Sequence, residues 1–212
     1  MMKIKICGIT DAANATELAA MCPDYLGFIF YEGSKRFIGN DPGYLFSRIP
    51  PEIKKTGVFV NEILSNVIDL AFRYRLDLVQ LHGSESPDEC RVLNKAGIKV
   101  IKAFSIRSGA DFSSMRQYLD VCELFLFDSA TGSEGGSGRK FDWSLLGSYG
   151  LDKPFLLSGG IGPEDAGQLR DLKISYLEGV DINSKFEISP GIKDLNTIRT
   201  FINNIKMLND EL

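Results

Sequence analysis

Short apolar runs recur along the chain, and most are followed by a stretch whose apolar residues fall three and four apart. The first spacing is that of strands and the second that of amphipathic helices. Lys3-Ile4-Lys5-Ile6 reads as a strand ending in the thiol of Cys7, with Gly8 and Thr10 suiting a turn into a helix from near Asp11 through Met21. Residues 24–31 form a nearly continuous apolar run, as a strand buried on both faces requires. A short helix near 41–48 follows, closed by Pro50-Pro51. Strands are then predicted over 56–60, 78–83, 99–104, 123–127, 155–160 and 176–181. The intervening helices are expected over 63–74 with Asn61 as cap, 87–96 stopped by Gly97, 111–119, 143–148, from Pro163 onward, and 194–207.

Eight βα units with short connections close naturally into a (β/α)8 TIM barrel, an α/β fold expected here as one domain over residues 1–212. An open doubly wound sheet is the alternative. In a barrel the carboxyl ends of all strands converge on one face, so the chemistry is to be sought there.

Composition narrows the classes. A formal net charge of −4 gives no basic stripe for nucleic acid, and no apolar run approaches the roughly 18 residues that span a bilayer. The amino terminus lacks the regions of a signal peptide, so a cytoplasmic protein is expected. The four cysteines show no CxxC spacing, and with a single histidine neither a metal site nor a disulfide framework is indicated. Cys22, Cys90 and Cys122 read as packing residues, leaving Cys7 as the thiol placed to react.

The candidate acid is Asp128, which ends the apolar sixth strand at the barrel mouth, where partial desolvation suits a carboxyl group to acid–base work; the bland alternative is a strand-end cap. Asp181, ending the eighth strand, could serve a ligand or simply hold its loop. The loops after strands seven and eight often bind phosphate, which puts Gly159, Gly160, Asn183 and Ser184 forward as a phosphate site, against the reading that the glycines merely turn the chain. Arg36, in the second loop, has the planar fork that suits a carboxylate, though taken alone it reads as a surface charge. His82 ends a strand as Gln-Leu-His-Gly; a hydrogen-bonded structural role is favoured over catalysis. Gly135-Gly136-Ser137-Gly138 has the composition of a ligand-covering loop.

Taken in order, Lys5-Ile6-Cys7-Gly8-Ile9-Thr10, Ser34-Lys35-Arg36, Gly57-Val58-Phe59-Val60-Asn61, Gln80-Leu81-His82-Gly83, Phe127-Asp128, the glycine-rich loop with Phe141-Asp142-Trp143, Leu157-Ser158-Gly159-Gly160 and Pro190-Gly191 resemble the phosphoribosylanthranilate isomerase family of tryptophan biosynthesis. That resemblance implies an Amadori rearrangement of a phosphorylated small molecule without metal or organic cofactor, by a monomer or homodimer. It also implies Cys7 as general base, Asp128 as general acid, Arg36 on the substrate carboxylate and Asp181 on a ribose hydroxyl. A thiol of ordinary pKa near about 8.5 is mostly protonated at neutral pH, so the site is expected to lower that of Cys7.

One departure stands out. The family usually has Ser-Ser-Gly-Val-Glu after the eighth-strand aspartate, and here the run is Asn183-Ser184-Lys185-Phe186-Glu187, so Lys185 either adds a cation for the phosphate or points outward. A non-catalytic phosphate-binding barrel would need neither Cys7 nor Asp128. Related barrel synthases or epimerases should show catalytic lysines or metal-ligand histidines instead, and an isomerase that also takes the histidine-pathway aminoaldose should carry aspartate at the position of Cys7.

Overall fold

The computed structural model describes residues 2–106, 112–129 and 142–206. Eight parallel strands close into a barrel in chain order: β1 (Lys3–Cys7), β2 (Tyr25–Ile29), β3 (Lys54–Phe59), β4 (Leu78–Leu81), β5 (Lys99–Ile106), β6 (Leu124–Ser129), β7 (Phe155–Leu157) and β8 (Leu177–Ile182). The expected barrel is therefore the observed architecture, and the open sheet is excluded because β1 pairs with both β2 and β8. Closure depends on Gly179: a Cβ there would lie 2.2 Å from the Lys3 carbonyl oxygen, so a side chain would push β8 off β1.

Strand alternation sorts side chains into two layers. Ile4, Ile6, Leu26 and Phe28 face outward and join the larger core under the helices. Tyr25, Leu78, Ile101, Leu124, Leu126 and Leu156 pack inside the barrel. Lys5 and Asp181 face each other in register across the β1–β8 seam, as do Cys7 and Gly27 across β1–β2.

The outer helices are α1 (Ala12–Ala19), α2 (Gly43–Phe46), α3 (Leu64–Arg73), α4 (Pro87–Lys95), α5 (Ala166–Asp171) and α6 (Leu195–Lys206). Asp11 caps α1 by accepting from Asn14 N–H. Ser86 and Glu89 form a reciprocal capping box on α4, and Gly97 follows that helix at φ +81°.

Three expected helices are reduced. The second is a single turn, and those near 111–119 and 143–148 are 3₁₀ segments, Ser113–Tyr118 and Trp143–Ser148, whose serines and Gly147 are weak helix formers. Asp111, Phe141 and the Gly135–Gly138 loop lie outside the described residues. Asn61 is not the cap of α3. It sits at φ +51°, and its Oδ1 accepts from Ser84 N–H and Oγ–H, tying the third βα loop to the fourth. Within the eighth unit, between β8 and α6, Glu187–Ser189 (β9) and Ile192–Lys193 (β10) form a small antiparallel hairpin that the apolar pattern did not announce.

Candidate active site

The inward rows of the strands end at the barrel mouth, and the residues singled out from the sequence are found there. Cys7 closes the row Lys3, Lys5, Cys7 on β1, and Asp128 closes Leu124, Leu126, Asp128 on β6. The sequence put Asp128 at the end of its strand; the strand runs one residue further, to Ser129.

Cys7 is buried at 4% exposure beside Lys5, which is fully buried. Lys5 Nζ donates to Asp181 Oδ1 at 2.9 Å, and Gly27 leaves the space in which the ammonium and the Cys7 sulfur come near each other. Burial works against the Lys5 charge, but the Asp181 carboxylate and then Cys7 outweigh it, and Lys5 stays an ammonium. For Cys7 the balance runs the other way. Burial pushes the thiol up, Lys5 pulls it down, Asp181 pushes it up again and Lys193 opposes that; the net direction is up. The expected lowering is thus not found within the protein's own groups, because desolvation of the thiolate outweighs its cationic neighbours.

Asp128 has two different attachments. Its Oδ1 accepts from the Ser129 N–H at 2.7 Å, and its Oδ2 lies 3.3 Å from His82 Nε2. Gln80 Nε2 is 2.8 Å from His82 Nδ1, and in this assignment the amide donates to Nδ1, which leaves the ring proton on Nε2, the nitrogen nearer Asp128. His82 is therefore the hydrogen-bonded histidine expected from the sequence, and its partner is the candidate acid. Gly159, at φ +86°, lets the seventh loop pass close by: a Cβ there would lie 2.4 Å from Ser129 N and 2.6 Å from Asp128 Oδ1.

Asp181 is engaged on both oxygens, Oδ1 by Lys5 and Oδ2 by the Ser158 hydroxyl at 3.4 Å. Arg36 is clamped along one edge by Glu187, with Nε 2.8 Å from Oε1 and Nη2 2.6 Å from Oε2. Glu187 in turn accepts from Lys193 Nζ at 2.7 Å and from Gly191 N–H at 3.1 Å. Burial alone would raise the Glu187 carboxyl; Arg36 and Lys193 reverse this and hold it below its ordinary range. Lys193, itself buried, also donates to Asn183 Oδ1 at 2.7 Å. Through these bonds the β9–β10 hairpin supports the mouth. It also holds the turn after Cys7, because Thr10 N–H and Oγ–H both donate to the Gly191 carbonyl.

Of the residues expected at a phosphate site, Gly159 and Gly160 are consecutive left-handed residues, at φ +86° and +67°, and Ser184 is exposed at the start of a single 3₁₀ turn, Ser184–Phe186. Asn183 instead turns its side chain toward Lys193 and the space above Gly8, where a Cβ would lie 2.8 Å from its Oδ1. Lys185 reaches from the eighth loop to the seventh, 3.6 Å from Glu164 Oε1. Cys90 and Cys122 are buried free thiols, whereas Cys22, expected to pack, is exposed at φ +52°.

Lys5, Glu187 and Lys193 were missed by sequence reasoning. Lys5 carried a signal, since it lies two residues before Cys7 on the inward face; Glu187 and Lys193 carried none, because the hairpin that buries them has little apolar pattern of its own.

Residues 4–204 match the family model described as N-(5'phosphoribosyl)anthranilate (PRA) isomerase. An N-(5'-phosphoribosyl)anthranilate isomerase of Parabacteroides distasonis is 44% identical over 206 residues, covering 96% of this chain and 93% of the relative. Among solved structures, phosphoribosyl anthranilate isomerase from Thermotoga maritima superposes with a TM-score of 0.87 at 37% identity, over 98% of this chain and 100% of that one. A phosphoribosyl anthranilate isomerase in complex with reduced 1-(o-carboxyphenylamino)-1-deoxyribulose 5-phosphate gives 0.83 at 34% identity over the same shares.

Proposed function

The chain belongs to the N-(5'-phosphoribosyl)anthranilate isomerase family and catalyses that family's isomerisation, and on that premise we propose that Cys7 is its general base and Asp128 its general acid. The observation that carries the assignment is their placement: a thiol and a carboxyl group end two inward rows, on strands three apart around the barrel, at the same mouth.

In this reading Asp128 delivers a proton to the furanose ring oxygen as the C1′–O bond breaks, and the anthranilate nitrogen completes a Schiff base. Cys7, as thiolate, removes the C2′ proton and leaves an enolamine, which tautomerises to the ketone. The cationic Schiff base brings positive charge beside the thiol at the step that needs it ionised, supplying what the buried surroundings withhold. His82, with Nε2 3.3 Å from Asp128 Oδ2, stands against that carboxyl and keeps it oriented.

Arg36, held in plane by Glu187, offers its remaining edge to the anthranilate carboxylate, a bidentate match. The backbone N–H groups of Gly159 and Gly160, with Ser184 opposite, take the phosphate, and Asn183 supports them by fixing the eighth loop to Lys193. Asp181 faces the ribose from beneath while anchored by Lys5.

Turnover of freshly generated phosphoribosylanthranilate, read as loss of its fluorescence, tests the reading. Catalytic decay of the signal is expected. A protein that binds the reduced product analogue without consuming substrate would be a binding barrel instead.

A further inference from the structure

Lys5 is a charge in the barrel interior that the steps above do not employ. An ammonium buried without water is expensive unless well paired, and apolar residues of similar volume commonly do as well or better for stability. Asp181, directly across the seam, supplies the pair at 2.9 Å. Cys7 stands two residues on along the same inward face, and its charge and that of Lys5 act on each other. Gly27 leaves the space in which they meet: a Cβ on it would stand 2.7 Å from Cys7 Sγ and 3.1 Å from Lys5 Nζ. Sulfur, ammonium and carboxylate therefore lie close together in one buried group, with the ammonium bonded to the carboxylate and bordering the same space above Gly27 as the sulfur.

We propose that Lys5 is a positioning residue that holds Cys7 ready as a base, its ammonium fixed by Asp181 beside the sulfur so that the thiolate forms next to a fixed positive charge. Lys5 remains protonated throughout. The Cys7 proton leaves to solvent before the chemical step, and the sulfur then takes the C2′ proton. Asp181 tempers the effect by drawing on the same ammonium. The other charges facing Cys7 are Lys193 from β10, which assists, and Arg36 from the loop after β2, already matched by Glu187.

This rests on the reading of Cys7 as the base, but its test does not. The ultraviolet absorbance of the Cys7 thiolate, taken as the difference from the same protein carrying Cys7→Ser, is titrated in wild type, Lys5→Met and Asp181→Asn. A neighbouring opposite charge shifts an ionisation by about one to three pH units. The midpoint is expected to rise by about that much in Lys5→Met and to fall in Asp181→Asn, whose ammonium keeps only the thiolate as an anionic partner. Turnover by Lys5→Met should lose kcat with KM nearly unchanged, and the acid limb of its pH profile should move with the thiol.

A midpoint unmoved by Lys5→Met, or moved the same way in both variants, overturns the proposal. If Lys5→Met does not fold, the Asp181→Asn titration decides alone, a fall supporting the proposal and no change or a rise refuting it. If the midpoints move as stated while Cys7→Ser retains turnover, the coupling stands and the assignment of Cys7 as base is what fails.

Discussion

Replacing Gly27 by alanine adds one methyl group at the most crowded point of the site. Gly27 lies opposite Cys7 in the β1–β2 register, and the new Cβ would be 2.7 Å from Cys7 Sγ and 3.0 Å from Cys7 Cα. Carbon contacts are comfortable only from about 3.5 Å, so the sulfur must swing aside or the two strands must part by a few tenths of an ångström. Overpacking of this kind costs about 1–3 kcal/mol. In a domain of this size that corresponds to a fall in Tm of about 2–12 °C. The effect on chemistry should be larger than the effect on folding. A misplacement approaching 1 Å at a reacting group lowers the rate by about 100-fold, and a smaller shift by about 10-fold. Thermal unfolding by circular dichroism and turnover by fluorescence decay, run on the same preparation, should show kcat down by roughly 10- to 100-fold with KM little changed. A Gly27→Ala protein with wild-type kcat would refute the reasoning, whatever its Tm, because it would mean that the sulfur is not fixed where the chemistry needs it.

Further outcomes are expected elsewhere in the chain. Ser86→Ala removes the α4 capping box and should lower stability by about 1 kcal/mol in denaturant unfolding; an unchanged midpoint would show that Pro87 and the acidic first turn suffice. Glu89 within that box is held below the ordinary carboxylate range by the Ser86 backbone N–H and hydroxyl. Its contribution is therefore complete above an unfolded pKa of about 4.3 and is lost as pH falls through the lower folded value, so the wild-type advantage over Ser86→Ala should narrow in acid. Glu187→Gln loosens the clamp on Arg36, and KM should rise about 10-fold or more, the scale of one charge-assisted hydrogen bond; an unchanged KM would remove Arg36 from substrate binding. Lys185→Gly should raise KM several-fold in low salt if the side chain serves the phosphate, whereas no change would confine it to Glu164.

The rhythm of the fold was legible because parallel barrel strands are buried on both faces and read as apolar runs, and because Asp11, Gly97 and Pro163 mark helix ends by local chemistry. Cys7 and Asp128 were legible for a related reason, since polar residues terminating such runs must lie at the mouth. The network behind them was not. Lys5 meets Asp181 across 176 residues and Arg36 meets Glu187 across 151, so neither pairing leaves a local trace. Lys5 shares the inward face of Cys7, but only closure of the barrel brings Asp181 to it. Asn61 failed for the opposite reason: its local signal was sound for a cap, but a contact to the next loop, with Ser84, claimed its side chain.

The most direct test of the acid–base pair is turnover of phosphoribosylanthranilate by Cys7→Ser and Asp128→Asn, measured beside the affinity of each for the reduced product analogue. General acid–base groups contribute roughly 100- to 10,000-fold. Each variant is expected to lose kcat on that scale while binding the analogue within a few-fold of wild type. Retention of near wild-type kcat by either variant would contradict the assignment of that residue.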